Sequence, residues 1–118
     1  VGYGSSAKKP EWFTPAPADV IAKVLSNAGL KVHDIDLFEV NEAFAVVSLA
    51  VQKLVGIETE RLNVNGGAVA LGHPIGASGG RILVTLLHAL QQRKMKRGMA
   101  AICIGGGEAS AVIIELVA

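Results

Sequence analysis

A chain of 118 residues with a formal net charge of +1 suits a single domain and lacks the concentrated basic charge with which proteins bind nucleic acid. Hydrophobic residues make up 51% of the sequence and aromatic residues only 4%, so the core must be built mainly from aliphatic side chains. No apolar run approaches the roughly 20 residues that a membrane helix needs, and no signal peptide is visible, so we expect no membrane span.

The N-terminal part of the sequence predicts a strand remnant followed by a helix. The chain opens with VGYGSS, which resembles the end of a strand, and its first residue is Val1 rather than Met. We therefore expect a fragment or a processed piece of a longer protein. After a loop over residues 5–16, an apolar stripe at three- and four-residue spacing predicts a helix that begins near Pro17 and stops at Gly29.

A short strand and a second helix are predicted next. Residues 35–40 (IDLFEV) alternate in polarity and predict a buried strand, and Asn41 follows as a natural N-cap. The helix is predicted over about residues 42–55, with the carboxylate of Glu42 in its first turn and Gly56 at its end. Apolar residues surround this helix almost completely, so we expect it to be well buried.

The C-terminal half predicts three more strands and one more helix. Residues 62–64 form a minimal strand, a glycine-rich loop follows, and a helix runs over about residues 78–94. The apolar strand 99–104 then turns through GGGEAS into the strand 111–117, which pairs back as a hairpin. The order β-α-β-α-β-α-β-β predicts one α/β domain over residues 1–118, with a mixed five-stranded sheet and helices on both faces.

Three stretches that follow predicted strands carry residue types suited to chemistry. They are NEAF at 41–44, GHP at 72–74 and CIGGG at 103–107. In open α/β sheets, functional groups gather at the carboxyl ends of parallel strands, so the three stretches could meet there. The glycines leave backbone N–H groups unhindered, and such groups can face a developing oxyanion.

Each of these stretches also has a purely structural interpretation. Pro74 restricts the backbone of His73, and an imidazole moves protons near neutral pH, but a histidine in a glycine loop can equally hold backbone carbonyls. Cys103 on an apolar strand can be a small core residue, Asn41 only a helix cap, and the glycine run only a turn. The residue pattern alone leaves both interpretations open.

Taken together, NEAF, NVNGGAVALGHPIGASGGRIL and CIGGGEAS resemble the C-terminal domain of the thiolase family, in the same order and over nearly the whole chain. The resemblance implies reversible Claisen condensation and thiolytic cleavage of 3-ketoacyl-CoA. Coenzyme A and acyl-CoA would be substrates, and no covalently bound cofactor is expected. The family also implies an N-terminal thiolase domain as partner, an active site between the two halves, and a homo-oligomer, either dimer or tetramer.

The resemblance assigns roles to individual residues. His73 matches the histidine that activates the nucleophile, and Asn41 matches the asparagine that orders a water, which with His73 forms one oxyanion hole. Cys103 matches the cysteine that moves the α-proton as acid and base, and the Gly105 N–H matches part of a second oxyanion hole. Two further residues correspond to positions near the acyl and pantetheine end of the pocket: Ala43 and Phe44.

Two features of the sequence qualify this resemblance. Related ketoacyl synthases carry histidine where this chain has Cys103, which favours thiolase, whereas Glu108 and Ala109 blur the preference for acyl chain length. Cys103 is the only cysteine, so the family's nucleophile is absent, and we expect the isolated chain to be inactive. A lone cysteine also fits a reducing compartment, so we expect a cytoplasmic protein, with an organelle left open.

Two alternatives remain at this point. The chain could be a non-catalytic thiolase-fold scaffold or association module, for which the high hydrophobic content would supply the contact surface. It could also be one subunit of a two-chain thiolase whose first half is encoded separately.

Overall fold

In the computed structural model, which describes residues 1–117, the chain forms a mixed sheet of four strands. Their order across the sheet is first, fourth, third, second, and only the second and third strands run parallel. The α/β class with a mixed sheet is therefore confirmed. The strands are β1 (Gly2–Ala7), β2 (Leu37–Val40), β3 (Arg97–Ile104) and β4 (Glu108–Glu115).

Helices cover both faces of the sheet, as the alternation of elements predicts. The helices are α1 (Ala16–Asn27), α2 (Ala45–Val55), the single turn α3 (Ala68–Leu71) and α4 (Ser78–Arg93). The first two pack on one face and α4 on the other. The predicted helix stops are confirmed, since Gly29 and Gly56 both have positive φ just after α1 and α2. None of the helices in residues 1–117 is long and apolar enough to cross a membrane.

The core has one part on each face of the sheet because neighbouring residues of a strand point to opposite sides. In β2, Phe38 and Val40 join the core beneath α1 and α2, whereas Leu37 joins the core beneath α4. Helix α4 approaches β3 very closely at Gly98, where an added Cβ would lie 2.6 Å from Leu86 Cδ1. Nearer the N-terminal end of α4, Arg81 lies against Glu39 of β2, so this end of the helix lies over β2.

The prediction of a fifth strand over residues 62–64 is wrong. Leu62 forms only an isolated bridge with Phe38, and Asn63 has a positive φ of 48°. The Asn63 side chain instead binds the Val40 backbone at both polar groups: Oδ1 accepts from the Val40 N–H at 2.8 Å, and Nδ2 donates to its carbonyl at 2.9 Å. A side-chain amide thus takes the place of further backbone pairing, and the sheet ends at β2.

The prediction that Asn41 caps a helix is also wrong, because α2 begins only at Ala45. The Asn41 N–H donates to the Ala101 carbonyl at 2.9 Å and so extends the parallel pairing of β2 with β3 by one residue. Glu42 lies outside the helix too, since its carboxylate accepts the N–H of Val69 at 3.0 Å. These long-range bonds outcompete the local capping pattern.

Helix α2 is less buried than its sequence predicts. Val47, Ser48 and Val51 are buried against α1 and the sheet, but Val46, Leu49 and Leu54 are more than half exposed. The chain covers only one side of this helix, so an apolar face of α2 stays open to solvent. The start of β4 differs as well, since the strand begins at Glu108 rather than near residue 111.

Candidate active site

The parallel pairing of β2 with β3 brings two of the predicted site residues to the same edge of the sheet. Val40 pairs with Ala101, so Asn41 leaves β2 beside the last residues of β3, where Cys103 and Ile104 lie. Both stretches are therefore at the carboxyl ends of adjacent parallel strands, which is where ligands bind in open α/β sheets.

A cavity of about 430 Å³ opens at this edge. It contains most of the residues that sequence reasoning assigned to chemistry: Ala43, Phe44, His73, Cys103 and Gly105. Because the cavity lies at the end of the strands, it can draw residues from both faces of the sheet. The imidazole and the thiol thus face a common space although they are 30 positions apart in the sequence.

Asn41 lies beneath the cavity and in contact with His73. Its side chain is fully buried, and Nδ2 lies 3.5 Å from His73 Nδ1 and 3.4 Å from Nε2. The other polar atom of this amide, Oδ1, is buried and has no hydrogen-bond partner among residues 1–117. The structure therefore brings the Asn41 amide into contact with the His73 imidazole.

His73 itself is half-buried and is held by the turn that leads into α4. The Pro74 carbonyl accepts the N–H groups of Ala77 and Ser78 at 2.7 and 3.0 Å, which folds the loop over the start of the helix. The His73 Nδ1 atom lies 2.5 Å from the hydroxyl oxygen of Ser78, which is 1% exposed. Sequence reasoning missed Ser78, because nothing in its local pattern points to an imidazole.

The glycine-rich loop is fastened to the end of β2 by Glu42. The two carboxylate oxygens accept from Val69 N–H at 3.0 Å and from Asn63 Nδ2 at 3.2 Å. Gly67 makes room for this carboxylate, since an added Cβ would lie 2.3 Å from its carbon. Glu42 therefore determines where the loop that carries His73 lies relative to Asn41. Sequence reasoning had placed the Glu42 carboxylate only in the first turn of a helix.

Cys103 lies half-buried near the end of β3, opposite Ala109 of β4. Burial raises the pKa of its thiol above the ordinary value of 9.0, and a backbone hydrogen bond opposes that rise. At neutral pH the group is therefore protonated, so it can donate a proton first and serve as a base only after giving one up.

The glycine turn between β3 and β4 is held against the loop that follows β1. Gly107 has a φ of 84°, and an added Cβ there would lie 2.6 Å from the Lys8 carbonyl oxygen. Lys8 in turn donates its N–H to the Gly107 carbonyl at 2.9 Å. This anchoring positions Gly105 at the wall of the cavity.

A buried ion pair lies under the site on the α4 face. Glu39 is 1% exposed, and its Oε2 lies 3.4 Å from Nη1 of Arg81. Burial raises the pKa of the Glu39 carboxyl to about 7, the Arg81 guanidinium opposes this rise, and Glu42 adds to it. Sequence reasoning did not single out Glu39; the available signal was one carboxyl in the middle of an otherwise apolar strand.

Comparison with known proteins places this arrangement in a family. The family model "Thiolase, C-terminal domain" matches residues 1–116. The chain belongs to the thiolase family.

Relatives and solved structures agree with that assignment. The chain is 57% identical over 115 residues to acetyl-CoA acetyltransferase 2 of Arabidopsis thaliana, covering 98% of the chain and 28% of the relative. It is 55% identical over 113 residues to acetyl-CoA acetyltransferase of Escherichia coli (strain K12), covering 96% of the chain and 29% of that relative. The structure of human mitochondrial 3-ketoacyl-CoA thiolase in complex with CoA matches with a TM-score of 0.97 and 47% identity, covering 100% of the chain and 30% of that protein.

This thiolase domain thus spans less than a third of the length of the curated relatives that it matches. The comparisons establish the family and the fold.

Proposed function

We propose that this chain is the C-terminal half of a thiolase that catalyses reversible Claisen condensation and thiolysis of 3-ketoacyl-CoA. The observation that carries the proposal is the common cavity at the strand ends, into which the His73 imidazole, the Cys103 thiol and the Gly105 turn all converge. The curated relatives, which are named as acetyl-CoA acetyltransferases, support the same reaction class. The domain over residues 1–118 would supply one wall of the active site.

In this mechanism, His73 takes the proton of a cysteine nucleophile that the N-terminal domain supplies. The resulting thiolate attacks the acyl carbon of acyl-CoA, the bond from that carbon to the sulfur of coenzyme A breaks, and the departing sulfur takes its proton from the His73 imidazolium. Asn41 supports this step from below: its buried amide contacts the imidazole, and its unpartnered Oδ1 could hold a water that donates to the thioester oxygen. Because Asn41 is buried and fixed before the reaction, the water that it holds can stabilise the oxyanion without reorganisation of the protein.

Cys103 is the acid and base of the second step. As a thiolate it removes the α-proton of the second acyl-CoA, and as a thiol it returns that proton to the enolate in the reverse direction. A thiol whose pKa is raised by burial is a stronger base once deprotonated, which suits removal of a weakly acidic α-proton. The Gly105 N–H would face the enolate oxygen, and Ala43 and Phe44 would line the path of the pantetheine arm.

The N-terminal domain has a suitable docking face on this chain. Beside α4 the sheet leaves a second cavity of about 360 Å³, with an apolar floor that includes Ile102 and Val112. Tyr3 at its rim is 84% exposed. Gly79 also lines this cavity, and within residues 1–117 an added Cβ there would meet no atom within 4 Å outside its own turn of α4, so the open space would accommodate close approach by another helix. The occupant we propose is the remaining part of the longer relatives.

The sharpest test of the proposed reaction is His73→Ala in the complete protein that carries this chain. Thiolysis of acetoacetyl-CoA should fall by about 10²–10⁴-fold in kcat, the usual contribution of a positioned acid or base. His33→Ala is the matched control, because that side chain is 73% exposed and does not line the cavity. Full activity of the His73 variant would refute the assigned role.

A second candidate function is an association module without catalysis, which the exposed apolar residues of α2 favour. The two functions differ in the behaviour of the purified 118-residue chain when a cysteine-bearing N-terminal domain is added. The thiolase proposal expects turnover of acetoacetyl-CoA with CoA to appear on mixing. Stable self-association of the chain with no turnover in any mixture would favour the module.

A further inference from the structure

We propose that Ser78 is a positioning residue that fixes the tautomer of His73, with the proton on Nδ1 and the lone pair on Nε2. The catalytic consequence of this assignment rests on the proposed function, whereas the tautomer itself can be observed without any turnover. Ser78 is the first residue of α4 and lies five positions after His73, yet the turn brings its hydroxyl to 2.5 Å from Nδ1.

The direction of this hydrogen bond follows from the one proton that a hydroxyl carries. Ser78 Oγ donates to the Pro74 carbonyl at 3.2 Å. A hydroxyl has a single donor and two acceptor lone pairs, so once its proton is given to Pro74 it can only accept from the imidazole. A proton on Nδ1 of His73 satisfies both contacts of the Ser78 hydroxyl, whereas an Nδ1 lone pair would take the hydroxyl proton away from Pro74.

The second neighbour of the ring does not distinguish the two nitrogens. Asn41 Nδ2 carries only donors and lies 3.4 Å from His73 Nε2 and 3.5 Å from Nδ1. It can therefore pair with whichever nitrogen bears the lone pair, and with the proton on Nδ1 that nitrogen is Nε2. The contact with Ser78, rather than the contact with Asn41, selects the neutral form of the ring.

Ser78 does not cap the N-terminus of α4, which is the usual role of a serine at the start of a helix. The residue at the N-cap of α4 is Ala77, and no side chain caps the backbone N–H groups there. The hydroxyl is buried, 1% of the residue being exposed, and its only two partners in the described chain are Pro74 and His73. The burial and the two contacts assign the hydroxyl to the imidazole rather than to the helix.

The chemical consequence is a base whose lone pair is on Nε2, the nitrogen that Ser78 does not contact. In the proposed first step, the proton of the nucleophilic thiol moves to Nε2 of His73, and the sulfur forms a bond to the acyl carbon as the bond to the departing sulfur breaks. The imidazolium then keeps its proton on Nδ1 and donates it in a hydrogen bond to Ser78 Oγ, which stabilises the charged ring. Without Ser78, the ring loses both the tautomer preference and this acceptor.

The test is ¹⁵N NMR of histidine-labelled complete protein at alkaline pH, where imidazoles are neutral. The His73 signals are assigned by their loss in His73→Asn. We expect protonated Nδ1 and unprotonated Nε2 in the unmodified protein, and a mixture of tautomers in Ser78→Ala. A proton on Nε2 in the unmodified protein, or an unchanged tautomer in Ser78→Ala, would overturn the proposal.

Two further variants separate positioning from general stability. Ser48→Ala is the matched control, since Ser48 is also a buried helical serine that donates to a preceding carbonyl, at 3.1 Å, but does not touch His73. It should leave the His73 tautomer unchanged. Ser78→Thr keeps a hydroxyl and should restore the Nδ1–H form; a tautomer mixture in a folded Thr variant would count against the role of the hydroxyl.

Kinetics link the tautomer to the proposed reaction. Ser78→Ala should lower kcat for thiolysis about 10-fold, as expected for one lost hydrogen bond, with KM for acetoacetyl-CoA unchanged. A loss confined to KM would contradict the positioning role. If the tautomer is as proposed but the unmodified protein has no thiolysis, the proposed function fails and the Ser78 assignment stands. If thiolysis is normal while Nε2 carries the proton, the Ser78 assignment fails and the proposed function stands.

Discussion

The two faces of the sheet are built in different ways. On the face covered by α1 and α2, the strands supply fully buried apolar side chains such as Phe38 and Met99. On the α4 face, strand β2 supplies the buried carboxyl of Glu39, and Asn41 follows it. Two buried oxygens of these residues, Glu39 Oε1 and Asn41 Oδ1, have no hydrogen-bond partner within the described chain.

This difference means that the α1–α2 face contributes most to stability, whereas the α4 face carries polar groups next to the candidate site. An unsatisfied buried polar atom costs about 1–3 kcal/mol, so the α4 face sacrifices stability in the neighbourhood of the candidate site. Among the described residues the α1–α2 face has one such oxygen, Ser6 Oγ of β1, and its apolar core must compensate for the cost on both faces. Substitutions on the apolar face should therefore change the free energy of unfolding most, and those on the α4 face should change its dependence on pH.

The largest effect on stability is expected for Phe38→Ala. Phe38 is 1% exposed and is among the largest fully buried side chains of the core. Truncating it should lower the free energy of unfolding by about 3–5 kcal/mol, since a cavity is left behind. Urea unfolding of the chain measures this loss. A loss below about 1 kcal/mol would show that the α1–α2 face does not dominate stability.

The next effect is a dependence of stability on pH through Glu39. Its carboxyl has a pKa of about 7 in the folded chain and an ordinary value of 4.5, so between these values the folded state holds more protons than the unfolded state. The free energy of unfolding should therefore fall as pH rises from about 4.5 to about 7, by at most about 3 kcal/mol.

Comparison with Glu39→Gln isolates this contribution from other titrating groups. Subtracting the pH profile of the variant from that of the unmodified chain should leave the fall assigned to Glu39. A flat difference between pH 4.5 and 7 would mean that Glu39 is ionised in the folded state, with its charge fully compensated by Arg81.

The smallest of the three effects is expected at the outer edge of the sheet. Asn63→Ala removes both side-chain bonds to the Val40 backbone and should lower the free energy of unfolding by about 2 kcal/mol. Asn65→Ala is the matched control, because Asn65 is exposed two positions away. Equal effects of the two substitutions would show that the amide of Asn63 does not replace a strand.

Sequence reasoning predicted the elements that local signals determine. The glycine stops of α1 and α2 and the final hairpin are all present, because each depends on residues close together in the chain. Sequence reasoning was wrong where a residue distant in the sequence determines the local structure. Asn41 matches the pattern of a helix cap, but its N–H binds Ala101, sixty residues later. No local pattern contains that bond.

The candidate site divides in the same way. Residue chemistry and the family resemblance pointed to His73 and Cys103, and the structure places both at one cavity. Glu42, Ser78 and Glu39 were not assigned to the site, since their importance arises only from what they touch after folding. A carboxylate that fastens a loop and a hydroxyl that meets an imidazole leave no periodic signal in the sequence.

The central claim is that His73 and Cys103 perform different steps in one cavity, and acyl-enzyme formation tests it most directly. The complete protein is mixed with radiolabelled acetyl-CoA, and the label bound covalently is counted for His73→Ala and Cys103→Ser. The account predicts that the histidine variant, whose nucleophile is not activated, is labelled about 10²–10⁴-fold more slowly than the unmodified protein. It predicts nearly stoichiometric label in the cysteine variant, which can be acylated but cannot move the α-proton. Equal labelling of the two variants would contradict the division of roles.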